Sequence, residues 1–224
     1  MHAVEQKSEM HPIDTILHRR SIRKFKDKFV PYDNLITIMK CAQNAPCAGN
    51  IQNTKFIIVR EPSNRKALAK ACNNQAWIST APIVVAVTSE PEHQKRYYGL
   101  RGEKLYSIQN AAACTMSIII AAEFLGLATC WVGSFDEDEV KSILAMPEHT
   151  NVHAIVPIGF ADETPAAQPK RTLQTLMFFE KWWAKRKFPA YGFYSENVVK
   201  TVKGAGDAIQ RLSEKLLGKK EKKE

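Results

Sequence analysis

At 224 residues, the chain has the length of one domain, or of one domain with appendages. A hydrophobic fraction of 45% with 25% charged residues is typical of a soluble globular protein and can supply a sizeable core. The formal net charge of +9 is concentrated in 18–28, 181–187 and 215–224 without a nucleic-acid-binding motif, so no nucleic-acid partner is expected. A basic site for a phosphorylated cofactor and a solvated tail account for most of the excess.

The cysteines and the apolar stretches argue against a disulfide scaffold and a membrane protein. The chain has five cysteines, and no two of them are spaced as a CxxC pair. This favours reduced thiols in a reducing compartment. No His/Cys cluster has the spacing of a zinc site. The first ten residues lack the apolar core of a secretory signal, and polar residues interrupt the apolar stretch Ile108–Val132. We therefore expect a cytoplasmic protein with no membrane partner and no metal.

The first half of the chain alternates between helical and extended patterns. Ile13, Ile16 and Leu17 predict a short helix that ends near Arg19. The nearly continuous apolar run Ile83–Val87 predicts a strand that is covered on both faces. Between them the patterns predict a helix at about Tyr32–Asn44, a loop at Ala45–Asn50, a strand at Phe56–Val59, and a helix that Ser63 caps and that ends near Cys72.

The second half begins with a long helix from about Tyr106 to Leu125, which closes at Gly126. A D-x-x-E arrangement of Asp136 and Glu139 resembles a capping box and predicts a further helix to about Ala145. The remaining predicted elements are an extended segment at Thr129–Val132, a strand at Val152–Phe160 and a helical piece at about Leu173–Trp183.

This order of elements predicts an α+β domain whose central sheet is covered by helices. We assign 11–185 to this domain and 186–224 to a C-terminal extension, partly helical with a basic tail. From about Ala190 onward the sequence carries little that a core needs, so we expect an arm that packs on a partner.

The sharpest local feature is the sequence RRSIRKF at 19–25, directly after the first helix. Its arginines and serine offer donors suited to phosphate and to carbonyl-type acceptors. If the segment is extended, Arg19, Ser21 and Arg23 point to one side, and Arg20 and Lys24 point to the other. One row then grips a ligand while the other meets solvent. A solvated basic turn is the alternative that this segment alone leaves open.

Three further segments carry residue types that suit a ligand site. The sequence APCAGNIQN at 45–53 combines small residues, which allow a ring to approach closely, with the amides of Asn50 and Gln52. The sequence GLATCWVGSF at 126–135 contains Gly133, where a backbone N–H can approach a flat ligand. Lys170 and Arg171 are two adjacent basic residues that follow the last predicted strand. Each segment by itself is a weak signal.

Taken together and in this order, the four segments resemble the nitroreductase family of FMN enzymes over about His11 to Trp183. The shared motifs are R-R-S-x-R-x-F, A-P-x-x-x-N-x-Q, Ala81-Pro82 before an apolar strand, G-L-x-T-C-W-x-G-x-F and the closing K-R. The resemblance implies a central, mostly antiparallel sheet flanked by helices, in an intertwined homodimer with FMN at the subunit interface. It also implies ping-pong hydride transfer from NAD(P)H through FMN to nitroaromatic, quinone or flavin acceptors.

The resemblance assigns the cationic residues to the two ends of FMN. Arg19, Ser21 and Arg171 are implied to hold the phosphate, and Arg20 contributes backbone or side-chain contacts. Arg23 is implied to lie near the pyrimidine edge of the flavin, where a cation favours the anionic reduced form.

The remaining implied site residues surround the ring. No catalytic acid or base is expected, because the flavin carries the hard step. Gln75 is implied to reach the pyrimidine edge, with Asn73 as a competitor for that place. The other subunit is implied to line the ring with Pro46, Cys47, Ala48 and Asn50, while Gly133 and Ser134 present backbone amides toward N5.

The chain departs from the family pattern at three places. Asn53-Thr54 follows Gln52 where the family usually has Pro-Trp, and Asn110 stands where many members carry Asp. Met116 and Ser117 stand where Gln-Asn is common. These departures concern the pocket lining and the acceptor more than FMN binding.

Two alternatives remain open. The first is a relative on the same fold that fragments reduced flavin or reductively dehalogenates aromatics; such enzymes usually depend on an inserted lid, and no long insertion is evident between Glu90 and Leu105. The second is a basic nucleic-acid-binding or interaction module without flavin.

Overall fold

The structure is a computed structural model that describes residues 12–184. A π-helical turn at Gly102–Tyr106 joins the fourth helix to the fifth. Within the described residues the strands are β1 (Thr54–Val59), β2 (Ile83–Ser89), β3 (Ala128–Thr129) and β4 (Asn151–Gly159). The helices are α1 (Pro12–His18), α2 (Tyr32–Gln43), α3 (Pro62–Ala71), α4 (Pro91–Arg101), α5 (Ser107–Phe124), α6 (Glu137–Ile143) and α7 (Leu173–Leu176).

The four strands form one antiparallel sheet in the order β1-β2-β4-β3. Ile83 lies opposite Ile158, and this register continues to the pair Val87 and Ala154. Thr88 then pairs with Val152, which leaves His153 as an extra residue in a β-bulge. The predicted antiparallel sheet flanked by helices is therefore confirmed.

The alternation of side chains along β2 builds two cores on opposite faces of the sheet. Val85 and Val87 join the core formed with α2 and α5, where Ile38 and Ile118 are fully buried. The intervening residues of β2, with β4, meet α3 and α6 on the other face. Because both faces are covered, all seven residues of β2 are buried. This burial explains why an almost uninterrupted apolar run forms a strand.

Two helix ends follow the predicted chemistry. Gly126 has φ 71°, and the N–H groups of Gly126 and Leu127 donate to the carbonyls of Glu123 and Ala122, which closes α5 in a Schellman motif. The Asp136 carboxylate accepts the Glu139 N–H at 2.9 Å at the start of α6. The Asp136 N–H donates to the carbonyl of Ala71, the last residue of α3, also at 2.9 Å.

The structure differs from the predictions at three helices. Helix α3 begins at Pro62, and its N-cap Glu61 makes no side-chain cap, so the predicted capping by Ser63 is wrong. The helical piece predicted at Leu173–Trp183 is restricted to Leu173–Leu176. Helix α4 was not predicted, because its sequence PEHQKRYYGLR has no apolar stripe of helical spacing.

Helix α5 belongs to the core. The continuous helical stretch Pro91–Phe124 is long and apolar enough to cross a membrane by length and composition, but half of its most apolar window is buried inside the protein. Eight residues of α5, including Cys114 and Ile118, are buried. Such burial is typical of the core helix of a globular domain.

The chain divides into two compact units, of which the first ends at Ala167 and the second begins at Gln168. In the second unit the ring of Phe178 lies 4.7 Å from that of Trp182 and 5.9 Å from that of Trp183, between centroids. The domain boundary predicted at 185–186 and the segment from Ala190 onward fall outside the described residues, and both stay predictions.

Candidate functional site

The cationic segment Arg19–Arg23 runs extended along the edge of the sheet. Ser21 lies opposite Thr129 in a parallel bridge, and the Ile22 N–H donates to the Thr129 carbonyl at 3.0 Å. The Ile22 side chain is buried in a small core with Phe25, Ala81 and Ala128. This buried anchor fixes which residues of the segment face outward.

The side chains of this segment form the two rows that the sequence predicts. Arg19, Ser21 and Arg23 are all close enough to the buried thiol of Cys130 to influence its pKa. Burial raises the pKa of this thiol, while the Arg23 guanidinium, the Ser21 hydroxyl and the Arg19 guanidinium act in the opposite direction. Arg20 faces elsewhere, and its guanidinium donates to the carbonyls of Leu17 at 3.1 Å and of Arg19 at 2.8 Å. Arg20 therefore closes the end of α1.

The outward guanidinium groups are available to an anion. Within residues 12–184, no carboxylate forms an ion pair with Arg19 or Arg23. The Arg23 guanidinium lies 5.9 Å from the centroid of the Trp77 ring. The nearby Glu163 carboxylate is occupied by the backbone N–H groups of Arg23 and Lys24. Planar donors without an acidic partner suit a phosphate or a ring carbonyl.

A second part of the site joins the loops after α3 and before α6. The Asn73 amide donates to the Ser134 hydroxyl at 2.6 Å. The Gln75 amide instead donates to the Cys72 carbonyl at 2.9 Å, within its own turn. Of the two competitors, the structure brings Asn73 to Ser134. The space beside Gly133 is open, since a Cβ there would meet nothing nearer than the Trp131 indole nitrogen at 3.8 Å.

The loop Pro46–Asn50 is held by two helices. The Ala48 N–H donates to the Asn110 side-chain oxygen of α5 at 2.9 Å, and the Ala48 carbonyl accepts the Gln94 amide of α4 at 3.1 Å. Gly49 follows with φ 61°, and a Cβ there would collide with the Tyr98 hydroxyl. A side chain at this point is therefore disfavoured, because the positive φ strains it and Tyr98 would have to move.

Cys47 lines a cavity of about 440 Å³ together with Cys114, Thr54 and Phe56. This cavity lies beside the loop, where α2, β1 and α5 meet. Burial raises the pKa of the Cys114 thiol, as it raises that of Cys72 to about 11. These thiols stay protonated at neutral pH, which favours a packing role.

Two groups of predicted site residues lie apart within the first unit, in addition to Gln75, Gly133 and Ser134 in the loops after α3 and before α6. Arg19, Ser21 and Arg23 gather beside β3, while the loop with Pro46, Cys47, Ala48 and Asn50 lies against α4 and α5. No hydrogen bond recorded within residues 12–184 joins the two groups. Arg171 is exposed in the second unit.

Several residues of the site were missed by the sequence interpretation. Trp77 contacts Arg23, and Glu163 fixes the backbone beside it. Gln94 and Tyr98 belong to the unpredicted helix α4 and contact the loop. The one sequence signal of α4 was Pro91, since a helix tolerates proline in its first turn.

His153 is a structural residue of the bulge. Its Nε2 lies 2.7 Å from the hydroxyl of Ser89, which is completely buried. Burial lowers the pKa of His153, and Glu137 acts in the opposite direction. A serine without solvent access cannot reach a substrate, so this Ser–His pair has no nucleophilic role.

The fold is an antiparallel sheet covered by helices, with an extended segment at its edge whose arginines no carboxylate of residues 12–184 pairs. The nitroreductase family model matches residues 16–81 and 70–160. The chain belongs to the nitroreductase family, and it is an oxidoreductase of that family.

Curated relatives and a solved structure agree with this assignment. A putative NADH dehydrogenase/NAD(P)H nitroreductase of Archaeoglobus fulgidus is 30% identical over 149 residues, which are 65% of this chain and 82% of the relative. An NADPH-flavin oxidoreductase of Vibrio harveyi is 26% identical over 168 residues, 70% of this chain and 69% of the relative. The structure of NfrA2 of B. megaterium has a TM-score of 0.71 at 27% identity, covering 76% of this chain and 74% of that one.

A more distant relative carries a different activity in its name. An iodotyrosine deiodinase of Thermotoga neapolitana is 21% identical over 182 residues, which are 70% of this chain and 92% of the relative.

Proposed function

We propose that this protein is an FMN-dependent oxidoreductase that passes electrons from NAD(P)H to nitroaromatic, quinone or flavin acceptors in the cytoplasm. The observation that carries the proposal is the row of Arg19, Ser21 and Arg23 on an extended segment, with guanidinium groups that no carboxylate of residues 12–184 neutralises. The relative from Vibrio harveyi, named as an NADPH-flavin oxidoreductase, supports the same cofactor pair.

The residues of the first unit fit FMN in their chemistry. A phosphate needs charged, planar donors, which Arg19 and Arg23 offer beside the Ser21 hydroxyl. A flat ring needs close backbone approach, which the open space at Gly133 allows. In this assignment Arg19 and Ser21 hold the phosphate, with Arg20 contributing through its backbone because its guanidinium is engaged at the end of α1. The role of Arg171 in phosphate binding stays a prediction from the sequence.

The other residues orient the ring. The redox chemistry, a ping-pong transfer of hydride from NAD(P)H to the acceptor, is supplied by FMN when it is bound. Arg23 places a cation at the pyrimidine edge, and Trp77 keeps the guanidinium in place from its other side. Asn73 orients Ser134, which together with Gly133 presents the amides toward the reacting atom. Gln75 keeps the turn after α3 closed.

The site is proposed to be completed by a second copy of the chain. The loop Pro46–Asn50 lies against α4 and α5, while the arginine row lies beside β3. A homodimer that exchanges these loops would supply Pro46, Cys47, Ala48 and Asn50 to the ring of the partner's cofactor. The expected dimer also gives a role to the extension 186–224 as an arm on the partner.

Reductive dehalogenation is the second candidate. The deiodinase relative from Thermotoga neapolitana supports it. A basic nucleic-acid-binding module without flavin is the candidate of another class.

Spectroscopy of the purified protein separates these functions. We expect a yellow protein that takes up FMN and elutes as a dimer in chromatography with light-scattering detection. Its oxidised-flavin absorbance, at roughly 450 nm, should be lost when NADH or NADPH is added without oxygen. Turnover of nitroaromatics, quinones and flavins, but not of iodinated phenols, favours the first candidate over the second. A colourless protein that stays monomeric and does not bind added FMN contradicts both.

A further inference from the structure

A buried network of amide side chains lies directly behind the loop Pro46–Asn50. Asn53 is its centre, with no exposed surface. The Asn53 amide nitrogen donates to the Ser107 hydroxyl at 2.9 Å, and its amide oxygen accepts the Asn110 amide at 2.9 Å. Gln94 reaches the same oxygen at 3.5 Å. The network therefore joins the loop to α4 and α5 through side chains that water does not reach.

The network forms hydrogen bonds with both the backbone N–H and the backbone carbonyl of one residue, Ala48. The Ala48 N–H donates to Asn110, and the Ala48 carbonyl accepts from Gln94. A backbone residue held from both sides by buried side chains has little freedom to rotate. Because Gly49 next to it has φ 61° and packs under Tyr98, the path of the loop is set at two consecutive positions.

Two departures from the family pattern meet in this network. Asn53 stands where Pro is usual, and Asn110 stands where Asp is common, and the structure places their amides in direct contact. An Asp at 110 could still accept the Ala48 N–H, but it has no N–H to donate to the Asn53 oxygen. The two asparagines therefore act as a matched pair.

We propose that Asn110, Asn53 and Gln94 are positioning residues that fix the Ala48 peptide and thereby hold the loop in its ring-lining conformation. The inference rests on the proposed function in one respect, namely that this loop meets the cofactor. These residues act through Ala48 and do not themselves touch the ring.

The first test is hydrogen exchange of the Ala48 amide in protein without added FMN. We expect Asn110→Leu to accelerate this exchange roughly tenfold or more, because the buried acceptor of the Ala48 N–H is lost. Gln109→Leu, an exposed neighbour on α5, is the matched control and should leave the exchange unchanged. Asn110→Asp should exchange at a rate between those of wild type and Asn110→Leu, since a carboxylate still accepts this N–H but no longer donates to Asn53.

The second test is FMN binding by the same variants. We expect FMN affinity to fall roughly tenfold in Asn110→Leu and the visible circular dichroism of bound FMN to change, with neither effect in Gln109→Leu. A merely destabilising substitution lowers the melting temperature but leaves the dichroism of the folded, FMN-bound fraction unchanged. If Asn110→Leu does not fold, Gln94→Met, which frees the Ala48 carbonyl from α4, carries the same test.

The outcomes separate this inference from the proposed function. Wild-type protein that binds no FMN contradicts the proposed function, whereas exchange of Ala48 is measured without the cofactor. Unchanged Ala48 exchange in both Asn110→Leu and Gln94→Met overturns the inference. Faster exchange with unaltered FMN affinity and dichroism also overturns it, because the loop would then be held by the network without being positioned for the ring.

Discussion

The arginine segment and the loop Pro46–Asn50 are built in opposite ways. In the first, a regular backbone bridge to β3 and the buried Ile22 hold the chain, and the side chains are left outward. In the loop, buried side chains of α4 and α5 form hydrogen bonds with the backbone of the loop itself. The segment presents charge from an extended backbone, whereas the conformation of the loop is determined by residues far away in sequence.

The largest expected effect tests whether the arginine segment depends on its buried anchor. Ile22→Ala should lower the free energy of unfolding by about 2–5 kcal/mol, because it leaves a cavity in the small core with Phe25. Urea denaturation measures this loss, and Ile22→Val should cost only about 0.5–1.5 kcal/mol. Equal stability of Ile22→Ala and wild type would show that the segment is held by its backbone alone.

The next effect concerns the charge that the segment presents. Arg23→Ala should weaken FMN binding by about 1.5–3 kcal/mol, roughly 10- to 100-fold in Kd, and slow the reduction by NAD(P)H. Fluorescence titration with FMN and stopped-flow absorbance measure the two quantities. Arg23→Lys keeps the charge without the planar donors and should give an intermediate loss. Unchanged cofactor content and reduction rate in Arg23→Ala would remove Arg23 from the site.

A smaller effect on FMN binding is expected at Gly133, which lies in neither the arginine segment nor the loop Pro46–Asn50. A Cβ at this position meets open space, so Gly133→Ala should change the free energy of unfolding by less than about 0.5 kcal/mol. If a ring approaches the backbone there, the same substitution should still lower FMN affinity, although by less than Arg23→Ala. Thermal unfolding and FMN titration of one preparation provide both measurements, and an unaltered affinity would place the ring elsewhere.

The smallest expected effect lies outside both regions and concerns acid pH. Burial lowers the pKa of His153, so below the unfolded value of about 6.5 the unfolded chain binds the proton more readily than the folded one. His153 thus makes its full contribution to the free energy of unfolding above this pH. That contribution decreases as the pH falls below it. Urea unfolding at acidic and neutral pH should show a weaker pH dependence in His153→Gln. An identical dependence in the variant would contradict the assignment.

The difference between the two regions also explains how much the sequence could predict. Strand β2, helix α5 and the two-row arrangement of Arg19–Arg23 follow from local periodicity, which each segment carries by itself. The hold on Ala48 depends on Asn110, 62 positions away, and no local pattern indicates such a pair. Helix α4 was missed for a related reason, since it contacts the rest of the protein through the polar side chain of Gln94 rather than through an apolar face.

The link between α3 and α6 constrains how the two loops can move. The loops after α3 and before α6 are fastened at the base by Ala71 and Asp136 and at the tip by Asn73 and Ser134. Neither loop can swing alone without breaking a hydrogen bond, so we expect them to shift as one body. Loop substitutions that keep both hydrogen bonds should therefore leave the spacing between Ser134 and the turn after α3 unchanged.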